Sequence, residues 1–222
     1  MIEVSAVSKV YDSSAGSVEV LNGLDLQVAS GEAISIVGPS GSGKTTLLNI
    51  LGTLDKPTSG AVKIGDQVIT ELDEINAAQF RNQTIGFIFQ LHYLLPQCSV
   101  LENVLVPRLA GGWTESAADS QARAEALLKE VGLKDRITHK PFQLSGGEQL
   151  RVAIARSLIN TPKIILADEP TGSLDPVSGE RVADLLLETN LSKGVALVVV
   201  THNATLAGKM QKTYRLEGGK LG

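Results

Sequence analysis

The stretch Gly38-Pro39-Ser40-Gly41-Ser42-Gly43-Lys44-Thr45 restricts this chain to few folds. The apolar run Ala33-Ile34-Ser35-Ile36-Val37 before it reads as a short buried strand. Thr46-Leu47-Leu48-Asn49-Ile50-Leu51 after it reads as a helix, stopped by Gly52 and Pro57. Between strand and helix, glycines let successive backbone N–H groups turn inward around phosphate oxygens, and the helix N-terminus adds positive potential. The ammonium of Lys44 is a point charge suited to β and γ phosphates, and the Thr45 hydroxyl is a hard ligand for Mg²⁺. The pattern and its strand–loop–helix setting together mark a phosphate-binding loop.

A second element supplies acids. Ile164-Ile165-Leu166-Ala167 is a buried-type strand, and Asp168-Glu169 emerge at its C-terminal end, where α/β sheets bind ligands. Alone, such a pair starts a solvated loop. Beside a phosphate loop, Asp168 suits the Mg²⁺ shell and Glu169 can polarise a water for attack on a γ phosphate. A third element, Leu144-Ser145-Gly146-Gly147-Glu148, precedes a helix. Its serine hydroxyl and glycine amides make a second anion site at a helix start, which in isolation would be no more than an N-cap. Two such starts in one chain suggest that the second serves a neighbouring subunit's nucleotide.

Strands and helices alternate around these motifs, so an α/β fold is expected. Val18–Leu21 and Leu24–Val28 read as two half-buried strands, and Val62–Ile64 and Gln67–Ile69 as a hairpin across Gly65-Asp66. Thr114 is a candidate cap for a helix to about Val131, with Ala124, Leu127, Leu128 and Val131 on one face and Gly132 at its end. A helix from near Gly147 carries Leu150, Ile154 and Leu158, and Ala196–Val200 is a further buried strand. Asp175 as N-cap and Pro176 open the helix before it. One domain over 1–222 is expected, with 1–90 and 161–222 as its catalytic core and a helical insertion over roughly 91–160.

Composition narrows the partners. Hydrophobic residues are 43% and charged residues 20% of the 222, those of an ordered protein, and the net charge of -4 offers nucleic acid no basic footprint. The single cysteine, Cys98, has no partner for an internal disulfide and argues against a structural zinc site. No secretory signal opens the chain, and the longest apolar run near its end, Val195–Val200, is far too short for a bilayer span, so a soluble subunit is expected. His92 and His139 read as residues of surfaces or helix ends, and Trp113 and Cys98 as packing residues.

With these motifs in order, the chain resembles the nucleotide-binding subunits of ATP-binding cassette (ABC) transporters over essentially its whole length. Gly38–Thr45 is similar to the family's Walker A motif, Ile164–Glu169 to Walker B, and Leu144–Glu148 to the ABC signature. Gln90 stands at the Q-loop glutamine, Ser173-Leu174-Asp175 at the D-loop, His202 at the switch histidine and Tyr11 at the adenine-stacking aromatic. The resemblance implies a P-loop NTPase fold with an N-terminal antiparallel β subdomain and a helical subdomain. It implies ATP held by Tyr11, by Gly38, Pro39, Ser40, Gly41, Ser42, Gly43, Lys44, Thr45 and Thr46, and in trans by Ser145, Gly146, Gly147 and Asp175. Mg²⁺ would lie on Thr45, Gln90 and Asp168, and catalysis would rest on Glu169, His202, Lys44 and Gln90. A head-to-tail homodimer closing around two Mg-ATP is implied as well.

Gly86–Pro96, Leu101–Val104 and Ala167–Asp175 are similar to the subgroup containing the lipoprotein-releasing ATPase LolD, the ATPase domain of the macrolide exporter MacB and the cell-division ATPase FtsE. The Leu-His-Tyr-Leu-Leu-Pro stretch leans towards LolD. That implies a motor on the cytoplasmic face of the inner membrane, driving permease subunits of the MacB, LolC, LolE or FtsX type, with Phe87–Val104 as docking surface. An FtsE-like regulator of wall hydrolysis is the alternative, and a soluble iron–sulfur-assembly ATPase a further one. DNA-repair types need long insertions, and translation types two cassettes. Three positions depart from the common pattern: Glu148 for glutamine, Leu150 for a polar residue, which would alter the exposed face of its helix, and Asn203 for aspartate, an equal N-cap.

Overall fold

Three short apolar runs form the middle of the molecule. In the computed structural model, which describes residues 1–13, 16–110 and 114–222, β3 (Ala33–Val37), β7 (Ile164–Asp168) and β8 (Ala196–Val200) lie side by side and parallel. All five residues of β8 are buried, as continuous apolar strands covered on both faces should be. β6 (Ile85–Ile88) extends the sheet beside β7, and β9 (Lys212–Glu217) and β10 (Lys220–Leu221) extend it beside β3, in the order β10-β9-β3-β8-β7-β6. The register sets Ile36 opposite Val200 and Val200 opposite Asp168, so the three strands finish within one residue of a common line.

Period-2 alternation sends successive side chains to opposite faces and so into two cores. Leu197 and Val199 of β8, with Ile165 and Ala167 of β7, face a core shared with helices α3 (Val100–Leu105), α4 (Ala117–Glu130), α5 (Gly146–Leu158) and α6 (Pro176–Lys193). Ala196, Val198 and Val200, with Ile164 and Leu166, face the other core, built with α1 (Lys44–Leu51) and a second sheet. That sheet is antiparallel, in the order β2-β1-β4-β5, from β1 (Ile2–Ser13), β2 (Gly16–Val28), β4 (Ser59–Ile64) and β5 (Gln67–Val68). α2 (Glu74–Thr84) and α7 (Ala204–Gly208) complete the elements.

Several expectations change. The two strands expected at 18–21 and 24–28 are one, β2, because Gly23 takes φ 59° and its N–H bonds Ser8 Oγ, absorbing an irregularity in the ladder. Ile69 leaves the hairpin for a 3₁₀ turn. Ser116, not Thr114, caps α4: its hydroxyl accepts from the Asp119 N–H and donates to the Asp119 carboxylate. Leu150 is fully buried on the apolar face of α5, so it leaves the exposed face unchanged. His92 is buried rather than on a surface. Trp113 lies outside the described residues. Among the described residues, no helix is long and apolar enough to cross a membrane.

Candidate functional site

The phosphate loop leaves β3 at Val37 and enters α1 at Lys44. Its path requires glycine at two points. Gly43 has φ 99°, and a Cβ there would meet Val20 O at 2.9 Å; a Cβ on Gly38 would meet Leu216 O at 2.3 Å. Gly43 is also the N-cap of α1 and offers no side chain to its first amides. Those donors, with the aligned dipole, make an anion seat. The Lys44 ammonium closes the loop on itself, donating to the carbonyls of Gly38 and Pro39 at 2.9 Å each. Ser42 Oγ is buried with no partner, an orphan that a phosphate oxygen would satisfy. The residues present therefore fit a nucleotide's phosphates.

Register then delivers the acids. Thr45 Oγ1 donates to Asp168 Oδ2 at 3.1 Å, joining the two hard oxygen ligands named from the sequence. Burial holds the Asp168 carboxyl above the ordinary aspartate range; the Thr45 bond opposes this, and the Glu169 charge adds to it. Glu169 has φ 43°, a conformation costing a non-glycine residue about 1–3 kcal/mol. Its N–H bonds Val200 O at 2.8 Å, and its carbonyl accepts from Gly172 N at 3.0 Å, which fix that turn. Its Oε2 accepts from Thr201 Oγ1 at 3.0 Å and from His202 N at 3.2 Å, and its Oε1 lies 2.8 Å from His202 Nδ1.

The singletons fall around this cluster. Gln90 is exposed just beyond β6, and its Nε2 would lie 3.6 Å from a Cβ built on Gly172, so it overhangs the turn that Glu169 opens. Tyr11 is 41% exposed, with its hydroxyl donating to Asp55 Oδ2 at 2.7 Å and the Lys9 ammonium 4.7 Å from its ring centroid. Burial, then the bond to Asp55, push its phenol pKa up.

Ser145 caps α5 in a reciprocal box with Glu148: its hydroxyl accepts from Glu148 N at 3.3 Å and donates to Glu148 Oε2 at 2.9 Å. Backbone and side-chain donors of Ser145, and Arg136 at 3.2 Å, hold the Glu148 carboxyl below the usual glutamate range. Gly146 packs against Leu174 and Gly147 against Ser178, so this turn sits beside the Asp175 cap of α6. The hydrogen bonds of Ser145 are all local, and its exposed side is open to another molecule. Asn203 caps α7 as expected, accepting from Thr205 N and Leu206 N.

Sequence reasoning passed over two residues. Thr201, wholly buried, aims its hydroxyl at Glu169; a polar residue ending an all-apolar central strand was the available signal. Asn103 is buried in α3 and bonds Leu95 through both backbone groups and the carbonyls of Cys98 and Ser99, which shapes the 95–99 loop.

Known proteins share the sequence and the fold of this chain. The family model described as ABC transporter matches residues 21–172. The chain is 50% identical over 221 residues to the lipoprotein-releasing system ATP-binding protein LolD of Syntrophus aciditrophicus, covering 100% of this chain and 98% of that protein. To LolD of Geobacter metallireducens it is 51% identical, covering 100% and 97%. Among solved structures it superposes on the dimeric bacterial ABC transporter cassette MJ0796 with TM-score 0.91 at 42% identity, covering 100% of this chain and 96% of that one. A post-hydrolysis dimer of MJ0796 bound to ADP and Pi gives TM-score 0.91 at 41% identity, with the same coverage.

Proposed function

The chain belongs to the ABC transporter family as an ATP-hydrolysing motor subunit, and we propose that it drives lipoprotein release through a membrane permease. Full-length identity of 50% to a lipoprotein-releasing ATP-binding protein is the observation that carries this reading. Position at the cytoplasmic face of the inner membrane, held by permease subunits of the LolC, LolE, MacB or FtsX type, follows from the same likeness.

Each residue then has a task. Lys44 and the backbone N–H groups of Gly38 and of Ser40–Thr46 hold the phosphates, with Ser42 gaining the partner it lacks, and Tyr11 offers its ring to adenine. Thr45, Asp168 and Gln90 would hold Mg²⁺, which would offset the negative charge of the phosphates. ATP supplies the phosphoryl group. Glu169 accepts the proton of the attacking water, and Thr201 and His202 aim its carboxylate. An ionised carboxylate has no proton to give, so His202 Nδ1 is the donor in its contact with Glu169. Ser145, Gly146, Gly147 and Asp175 of a second copy complete the site, making the working unit a head-to-tail homodimer.

The docking face for the permease is the apolar surface around Leu91 and Tyr93, 71% and 61% exposed, beside a cavity of about 470 Å³ lined by Phe87, Phe89 and Val106. Exposed apolar area of this kind marks interaction sites. The test is to trap the Glu169→Gln variant with Mg-ATP in its native membrane, crosslink, and identify what it holds. A permease that co-purifies with lipoproteins is the expected capture. Only soluble partners, or a permease bound to wall-hydrolase activators, would overturn the lipoprotein reading.

A further inference from the structure

Arg156, in the last turn of α5, has its guanidinium largely buried, and burial pulls its pKa down. It bonds two backbone carbonyls: Nη1 donates to Tyr93 O at 2.8 Å and Nη2 to His92 O at 2.5 Å. His92 and Tyr93 are consecutive non-glycine residues with positive φ, 60° and 46°. That conformation persists only where surrounding structure over-determines it. A planar fork that captures two successive carbonyls is such a constraint, and a lysine ammonium cannot reproduce it.

The same end of α5 is pinned to the central sheet. A Cβ on Gly86 of β6 would meet Ser157 O at 2.5 Å, so strand and helix are in backbone contact there. Asn160 beyond the helix donates to Asn82 O at 3.0 Å. The other end of α5 is Ser145. The helix is therefore a rod with the signature serine at one tip and the exposed Leu91–Tyr93 turn clamped at the other, and Gln90 lies just upstream of that turn.

We propose that Arg156 is a positioning residue that locks the Gln90–Tyr93 segment to the signature helix, so that the docking face and the ATP site shift as one body. This rests on the dimeric ATPase reading. Loss of the fork frees the left-handed turn to relax, moving Gln90 away from the Glu169 turn and the exposed Leu91 and Tyr93 away from their present places.

The test uses the full chain with Arg156→Lys, alone and combined with Tyr93→Gly, which removes the left-handed penalty without restoring the fork. Turnover of Mg-ATP, amide exchange over 90–95 and Tm are measured. Arg156→Lys is expected to lower kcat about tenfold with KM within about twofold of the parent. Amides 91–95 are expected to lose about tenfold in protection while Tm stays within about 2 °C. Adding Tyr93→Gly is expected to restore at least half of the lost kcat. A merely structural arginine would lower Tm and gain nothing from the glycine. Parental kcat and protection in Arg156→Lys, or no rescue by Tyr93→Gly, overturns the proposal. A parent chain without Mg-ATP turnover would instead overturn the ATPase reading, so the two failures are distinct.

Discussion

His202 Nδ1 lies 2.8 Å from Glu169 Oε1, while the backbone N–H of His202 reaches the other oxygen of the same carboxylate at 3.2 Å. One residue thus grips both oxygens of the carboxylate proposed as general base. With Thr201 donating from within the core, the carboxylate is held before any water arrives. Preorganisation of this kind is where catalytic rate is gained.

Glu169→Gln is expected to lower kcat by about 10²–10⁴-fold, the usual contribution of a general base. ATP binding should survive, so an ATP-bound dimer should accumulate, read by size-exclusion chromatography with light scattering. His202→Ala should also depress turnover with little change in KM, because it removes aim rather than affinity. Parental kcat in either variant would sink these roles.

Asp168 shows a conflict between stability and activity. Burial raises its folded-state pKa, so its stability contribution is complete below the unfolded value and lost as pH rises through the folded one. At neutral pH the ionised carboxylate therefore weighs against folding. Asp168→Asn should raise the Tm of the nucleotide-free protein and abolish Mg-dependent turnover. A lower Tm for Asp168→Asn would contradict the burial argument.

Gly43→Ala tests the loop's geometry. The substituted residue would need φ 99° and would press its Cβ to 2.9 Å from Val20 O and Leu21 Cδ2. Strain of about 1–3 kcal/mol is expected from the backbone alone. ATP binding by calorimetry should be lost. Gly41→Ala has φ 79° but open space around its Cβ, so it should cost less by thermal melting.

Glu148 places a carboxylate beside Ser145, the serine proposed to face a second copy's γ phosphate, and Arg136 offsets its charge. Glu148→Gln keeps the capping box and gives up an ion pair with a half-exposed arginine worth about 0–1 kcal/mol, so Tm should hardly move. In a Glu169→Gln background, ATP-dependent dimerisation should tighten with Glu148→Gln and weaken with Arg136→Ala. Sedimentation velocity showing the same dimer fraction in both would refute the charge argument.

Local rules account for much of what the sequence made legible. Ala33–Val37 and Ala196–Val200 appeared with their observed ends, because an apolar run buried on both faces admits little else. Asp175-Pro176 marked its helix start correctly, since cap and first-turn preferences act within three residues. Thr114 failed for the same reason read in reverse: Ser116 had Asp119 three residues on to share bonds with, and Thr114 did not secure the cap. His92 was misjudged because its burial is set by tertiary packing: even its backbone carbonyl is held by Arg156, 64 residues away.

The phosphate loop was legible in the sequence alone, since its glycines, lysine and threonine are contiguous between an apolar strand and a helix. Where its partners stand was decided by the parallel register that ends Ile36, Val200 and Asp168 on one line. That register brings Asp168 to Thr45, and it brings Glu169 to Thr201 and His202. Those pairings follow from which strands lie side by side, a matter of how two cores fill, and no local pattern encodes it.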